Sequence, residues 1–452
     1  MLQAALMSCR SATLCAPTIL CLLAFLTRPA AHGEVRPPAT LPMNRPLTPS
    51  LSPIGGEGAG SWEASTIPES RIGTMNRRRT GARTALSASS LDLILADMVV
   101  RAPIGSLWVA SADFSQRLAR TNLLIYLSTK GHALSAKSVR DWQKRRAAIV
   151  RSMQEVMGPL PGKEKRCPLD VKVDEEVDCG DYVRRFLTYA SEPGSRVPAY
   201  LLIPKSALNR KAKAPGILCL HQTHSLGQKV VVGLGNSPND QYGVELARRG
   251  YVCLAPAYPL LANYQPDLNA LGYQSGTMKA IWDNLRGLDL LDSLPFVKRG
   301  KFGAIGHSLG GHNAIFTAVF DERIKVIVSS CGFDSFVDYY GGDPGVWKPE
   351  RGWCQTRYMP RLAQYAGRLN EIPFDFHELI GALAPRHVFV NAPLGDTNFK
   401  WRSVDAVVTA ARPVFELYHV PQNLRVEHPD CGHLFPPEMR QMAYKLFDER
   451  LR

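Results

Sequence analysis

Gly306-His307-Ser308-Leu309-Gly310 lies between a segment that reads as a strand, Lys301 to Ile305, and one that reads as a helix, Gly311 to Phe320. A serine on so sharp a turn is held in a strained, exposed position at the carboxyl end of a parallel strand. The flanking positions call for glycine because a side chain there would strike the neighbouring strand or helix. A pattern of five residues recurs by chance, and many serines only cap helices. Its setting between strand and helix is what ties this chain to a parallel sheet with helices packed on it.

The surrounding chain fits that architecture. Val139 to Met157 reads as an amphipathic helix stopped by Gly158-Pro159, and Leu169 to Glu175, Tyr182 to Tyr189 and Val197 to Ile203 read as strands. Strand Gly216 to Leu220 precedes helix Gln241 to Arg249, and strand Tyr251 to Ala255 precedes helix Gly276 to Leu294. After the serine turn come strands Lys325 to Ser330 and His387 to Asn391, then helix Ser403 to Tyr418. Strand Leu424 to His428 and a last helix, Pro437 to Leu451, complete the series. The fold class predicted is α/β: a doubly wound, mostly parallel sheet with an antiparallel N-terminal edge, its chemistry on loops at the strands' carboxyl ends.

At 452 residues, the chain has room for one large domain and additional segments. Residues 1–31 read as a signal peptide: Arg10, then an apolar run from Ala12 to Leu26, then small residues at Pro29-Ala30-Ala31. The run is short for a membrane span, so no stable membrane insertion is expected, and a secreted or periplasmic location is. Residues 32–90 read as a disordered Pro/Ser/Arg-rich linker, 91–137 have no assigned fold, and 138–452 form the catalytic domain. The formal charge of +14 splits evenly, +7 on the first 137 residues and +7 on the rest. The basic run Arg77-Arg78-Arg79 lies in the linker without interleaved aromatics, so no nucleic-acid partner is expected. Cleavage of the signal leaves seven cysteines, with no C-x-x-C spacing to suggest a zinc site. Cys219 and Cys253 read as small core residues, and a disulfide between Cys167 and Cys179 is open if the compartment is oxidising.

A serine hydroxyl is a weak nucleophile near neutral pH and needs a base, which in turn needs an orienting acid. On a sheet of this kind both come from later strand ends, the acid before the histidine. Asp396 follows strand His387 to Asn391, and His433 follows the final strand within Pro429-Asp430-Cys431-Gly432-His433. Asp334 and Asp405 are rival acids, the second inside a predicted helix, and His307 is expected to pack rather than react. For an oxyanion, the backbone N–H of Leu309 is the first donor expected. The second comes from Gln222 or Thr223 in the loop after Leu220. The excursion Asp334 to Phe376, with Tyr339, Tyr340, Trp347 and Trp353, reads either as a wall over Ser308 or as an anchor to the body.

Leu220-His221-Gln222-Thr223, Gly306-His307-Ser308-Leu309-Gly310-Gly311 and Pro429-Asp430-Cys431-Gly432-His433 make the stretch from about Ser138 resemble the α/β-hydrolase superfamily. It is similar in particular to dienelactone-hydrolase-like and acetyl-xylan-esterase-like bacterial serine esterases. The resemblance implies a cofactor-free esterase working through an acyl-enzyme on a small-molecule or carbohydrate ester. Dienelactone hydrolases proper use a cysteine where this chain has Ser308, and His221-Gln222 replaces the usual His-Gly. A prolyl-oligopeptidase-type peptidase shares the triad, but no propeller repeat appears upstream. A catalytically silent binding protein of the same fold is the third reading.

Overall fold

The computed structural model describes residues 117–209 and 213–452. The signal-peptide and linker segments, and most of 91–137, lie outside the described residues. Strands β1 (Ile125–Leu127) and β2 (Ala133–Ser135) pair as a small antiparallel ribbon, followed by helix α1 (Val139–Met157). Strands β3 (Lys172–Asp178), β4 (Tyr182–Glu192) and β5 (Ser195–Pro204) follow, with a short helix α2 (Lys205–Leu208). Then come β6 (Ala214–Leu220), α3 (Tyr242–Arg248), β7 (Val252–Pro256), α4 (Gly276–Ser293), β8 (Val297–His307) and α5 (Leu309–Phe320). The chain finishes with β9 (Ile324–Ser330), α6 (Phe376–Ala382), β10 (His387–Asn391), α7 (Trp401–Leu417), β11 (Leu424–Glu427) and α8 (Pro437–Leu451).

Nine strands form one sheet in the order β11-β10-β9-β8-β6-β7-β5-β4-β3. The six from β11 to β7 run parallel, and β5, β4 and β3 are antiparallel at the N-terminal edge, as the sequence predicts. The period of two along each strand sorts side chains to the two faces. Leu218 and Leu220 of β6, with Val252 and Leu254 of β7, face a core shared with α1, α4, α5, α6 and α7. Ile217, Cys219, Cys253 and Ala255 face the second core, under α3 and α8. The two cysteines are therefore core residues, both fully buried.

Helix α1 starts where Ser138 accepts a hydrogen bond from the Asp141 N–H at 3.2 Å and ends at Gly158, φ 92°. Its buried stripe of Trp142, Ile149, Met153 and Val156 is a helical face laid on the first core. Residues 117–135 also contribute: Leu123 is buried in that core, and Arg120 Nε pairs with buried Asp375 at 2.9 Å. Edge strand β3 lies three residues beyond its expected position. Its KVDEEVD residues are mostly exposed, so burial does not set the register, and a bulge falls between Val173 and Glu175. The disulfide considered for Cys167 and Cys179 is absent, and both thiols are free. The 7-residue strand β3 runs between them, on the order of 20 Å of extended chain, too long for a bridge.

Candidate active site

Ser308 occupies the single position between β8 and α5, at φ 53° and ψ −122°. Such a backbone costs a non-glycine residue about 1–3 kcal/mol and persists only where the surroundings enforce it. Here its N–H donates to the Ser330 carbonyl at 2.8 Å, and its own carbonyl accepts from the His312 N–H at 3.1 Å. A Cβ on Gly306 would strike the Gly310 backbone, and one on Gly310 would strike the Leu220 carbonyl. Both glycines are therefore required by close approach.

Asp396 stands on the loop after β10, and His433 on the loop after β11. The two loops are joined by backbone hydrogen bonds, Leu394 N–H to Pro429 O and Gly395 N–H to Cys431 O, each 3.0 Å. His433 Nδ1–H donates to both carboxylate oxygens of Asp396 at 3.0 Å. That fixes the tautomer and leaves Nε2 free to accept a proton. Asp396 also accepts from the N–H groups of Asn398 at 2.8 Å and Phe399 at 3.1 Å. Burial works to raise the Asp396 pKa. The hydrogen bond and charge of His433, with those two amides, outweigh it and hold the carboxyl below its ordinary value.

The rival acids take no part in this pair. Asp334 is buried, accepts from the Lys400 N–H at 3.2 Å, and is pushed up to about 8 by burial. Asp405 is half exposed on α7, 3.7 Å from His428. His307 packs as expected: it is buried, bonds Ser330 Oγ through Nδ1 at 3.1 Å, and its ring centroid lies 4.8 Å from that of His433. Burial, and then the proximity of His433, push it down to about 3, so it stays neutral.

Ser308, Leu309 and His433 line one cavity of about 440 Å³, and Gln222 and Thr223 line it from the loop after β6. Buried His221 shapes that loop. Its Nε2 accepts from the Tyr258 N–H at 3.0 Å, so Nδ1 carries the proton and donates to the Gln222 carbonyl at 2.7 Å. Burial pushes His221 down to about 4, which keeps it neutral in this role. In a trans peptide the N–H points opposite to the carbonyl. The Gln222–Thr223 peptide is thereby fixed, with its carbonyl on His221 and its N–H directed away from that ring.

The excursion after β9 serves both roles considered for it. Trp347 is a buried anchor, whereas Tyr339, Tyr340 and Trp353 line the cavity. Trp353 stacks on His312 at 4.3 Å and on Phe399 at 6.2 Å, and Phe399 lies 6.0 Å from His433. The sequence reading missed Phe399 and Cys331. Cys331 is buried, donates its thiol to the Leu434 carbonyl at 3.4 Å, and has its sulfur within 4.8 Å of the Asp396 and His433 ligand atoms. Burial raises its pKa well above the ordinary thiol range, which suits a packed thiol behind the pair.

A mostly parallel sheet with a serine on its strained β8–α5 turn and an Asp–His pair on the loops after β10 and β11 defines the α/β-hydrolase fold. A family model described as glucuronyl esterase, fungi, matches residues 267–418 of this chain. The chain is 27% identical over 188 residues to a 4-O-methyl-glucuronoyl methylesterase from Phanerochaete carnosa, covering 38% of this chain and 45% of that one. It thus spans less than half the length of that relative. A glucuronoyl esterase from Solibacter usitatus has a similar structure, with a TM-score of 0.60 at 19% identity, covering 74% of this chain and 98% of that one. Another, a carbohydrate esterase family 15 glucuronoyl esterase from Caldicellulosiruptor kristjansonii, has a TM-score of 0.54 at 19% identity, covering 73% and 90%. These structural likenesses show the shared fold. Among the described residues, no helix is long and apolar enough to cross a membrane.

Proposed function

We propose that this chain is a serine carboxylic-ester hydrolase acting on carbohydrate esters, with uronate esters the leading substrate class. The observation that carries the reading is the Asp396–His433 pair on the rim of the cavity that Ser308 lines. In this reading Ser308 Oγ attacks the ester carbonyl while His433 Nε2 takes its proton, and Asp396 holds the imidazole and offsets its transient charge. The N–H groups of Leu309 and of Gln222 or Thr223 receive the oxyanion. The alcohol leaves with the proton from His433, and water, activated by the same imidazole, releases the acid from the acyl-enzyme.

The substrate class draws on the relatives, whose names place the sugar on the acyl side of the ester. The aromatic wall of Tyr339, Tyr340 and Trp353 suits the apolar faces of sugar rings. Export fits the apolar run Ala12 to Leu26 and an extracellular polymer substrate. The test is hydrolysis of a methyl ester of glucuronate by wild type and by Ser308→Ala. A fall in kcat of roughly 10⁴-fold or more supports the reading, and retained activity in the variant ends it. Mature protein recovered with its first 31 residues intact would remove the export part alone.

A further inference from the structure

A second cavity, of about 400 Å³, opens at the other end of the sheet, beside Ala214 at the start of β6. The cleft with Ser308 lies beyond the last residue of the same strand, so 7 strand residues, about 23 Å, separate the two. Lys213, Arg248, Arg249, Lys298 and Arg452 all line this second cavity, and no carboxylate side chain does. Asp448 alone pairs with two of them, Arg249 at 2.8 Å and Arg452 at 2.8 Å. Lys298 donates to the Leu451 carbonyl at 3.3 Å, and among the described residues Lys213 and Arg248 form no ion pair.

We propose that this cavity binds the carboxylates of an acidic polysaccharide and so holds the enzyme on the polymer whose esters it cleaves. The inference rests on the uronate-ester reading for its ligand and on this cavity's charge for its existence. The volume is within the usual range of ligand sites, about 300–1,000 Å³. Guanidinium forks match planar carboxylates, and the cations come from four separate stretches of chain, a spread that fits several carboxylates along a polymer. A single phosphate fits less well. The backbone at residues 248–250 is the C-terminal end of α3 and offers no helix N-terminus or backbone nest to cradle a phosphate. The N–H groups of Arg249, Gly250 and Tyr251 are already donated to Glu245, Ala247 and Leu246 carbonyls. Lying on the opposite rim, the cavity can be occupied while the Ser308 cleft works.

The experiment is calorimetric titration of the full chain with a galacturonate hexamer, with xylohexaose as the neutral control and inorganic phosphate as the competing anion. The variant combines Lys213→Ala, Arg248→Ala and Lys298→Ala, which leaves the Asp448 cluster intact, and thermal unfolding checks that it folds. The expected result is hexamer binding that weakens about tenfold in the variant and falls as salt rises, with no matching change for xylohexaose. Equal hexamer affinity in wild type and variant overturns the proposal, as does binding of phosphate but not of the hexamer. Because the titration needs no turnover, failure here leaves the Ser308 assay untouched, and failure of that assay leaves this binding measurable.

Discussion

Asp334 and Asp396 show how two carboxylates a few loops apart come to differ. Asp396 is surrounded by donors and stays charged, whereas Asp334 has one backbone donor and an oxygen, Oδ1, that meets none. Its folded pKa of about 8 lies above the unfolded value of about 3.9, so the folded state holds the proton more tightly. Its contribution to stability is fully present below about pH 4 and is lost as pH rises through about 8. Asp334→Asn should therefore stabilise the fold relative to wild type near pH 8 and do little near pH 4, as read by thermal unfolding at the two values. Asp396 runs the other way, its contribution being present above about pH 4 and lost as acid protonates it. The order Ser308, Asp396, His433 could be read from strand ends alone. The conformation of the Gln222–Thr223 peptide could not, because it depends on Tyr258, 37 residues beyond His221, holding that ring.

Helices and strands were legible where one face is buried and the pattern runs long. Helix α1 and helix α8 fall where the apolar period puts them, and the inner strands match within a few residues. Short or exposed elements escaped: the β1–β2 ribbon has three residues per strand, mostly exposed, and gives no usable period. Helix α6 did leave a signal, the capping box of Asp375 and Glu378 ahead of an apolar run. The docking of α1 can be tested through Trp142, which is fully buried with its ring against Gly381. Trp142→Ala should lower unfolding stability by about 3–5 kcal/mol in urea titrations, with the Ser308 cleft unaltered in the fraction that remains folded.

For the molecule as a whole, the stretch before Ser138 contributes more than its irregular sequence implies. Arg117 pairs with Glu378 at 3.3 Å and Arg120 with Asp375 at 2.9 Å, and both carboxylates are buried. Glu378 keeps a second partner in Arg145 at 3.0 Å, but Asp375 has no other arginine or lysine among the described residues. A chain beginning at Ser138 should be less stable by about 3–5 kcal/mol than one beginning at Arg117, because a buried charge is left unpaired. Comparing their urea midpoints checks this, and equal midpoints would assign the stretch no structural role.

The two backbone hydrogen bonds between the Asp396 and His433 loops carry a consequence for how activity fails. The proposed general base, His433, and orienting acid, Asp396, ride on one stitched rim, while the proposed nucleophile, Ser308, is held separately by β8 and α5. Warming that frays the rim should remove both groups from Ser308 at once. Inactivation should then follow a single step ahead of global melting, not a gradual fading of turnover through an enzyme with a misaligned imidazole.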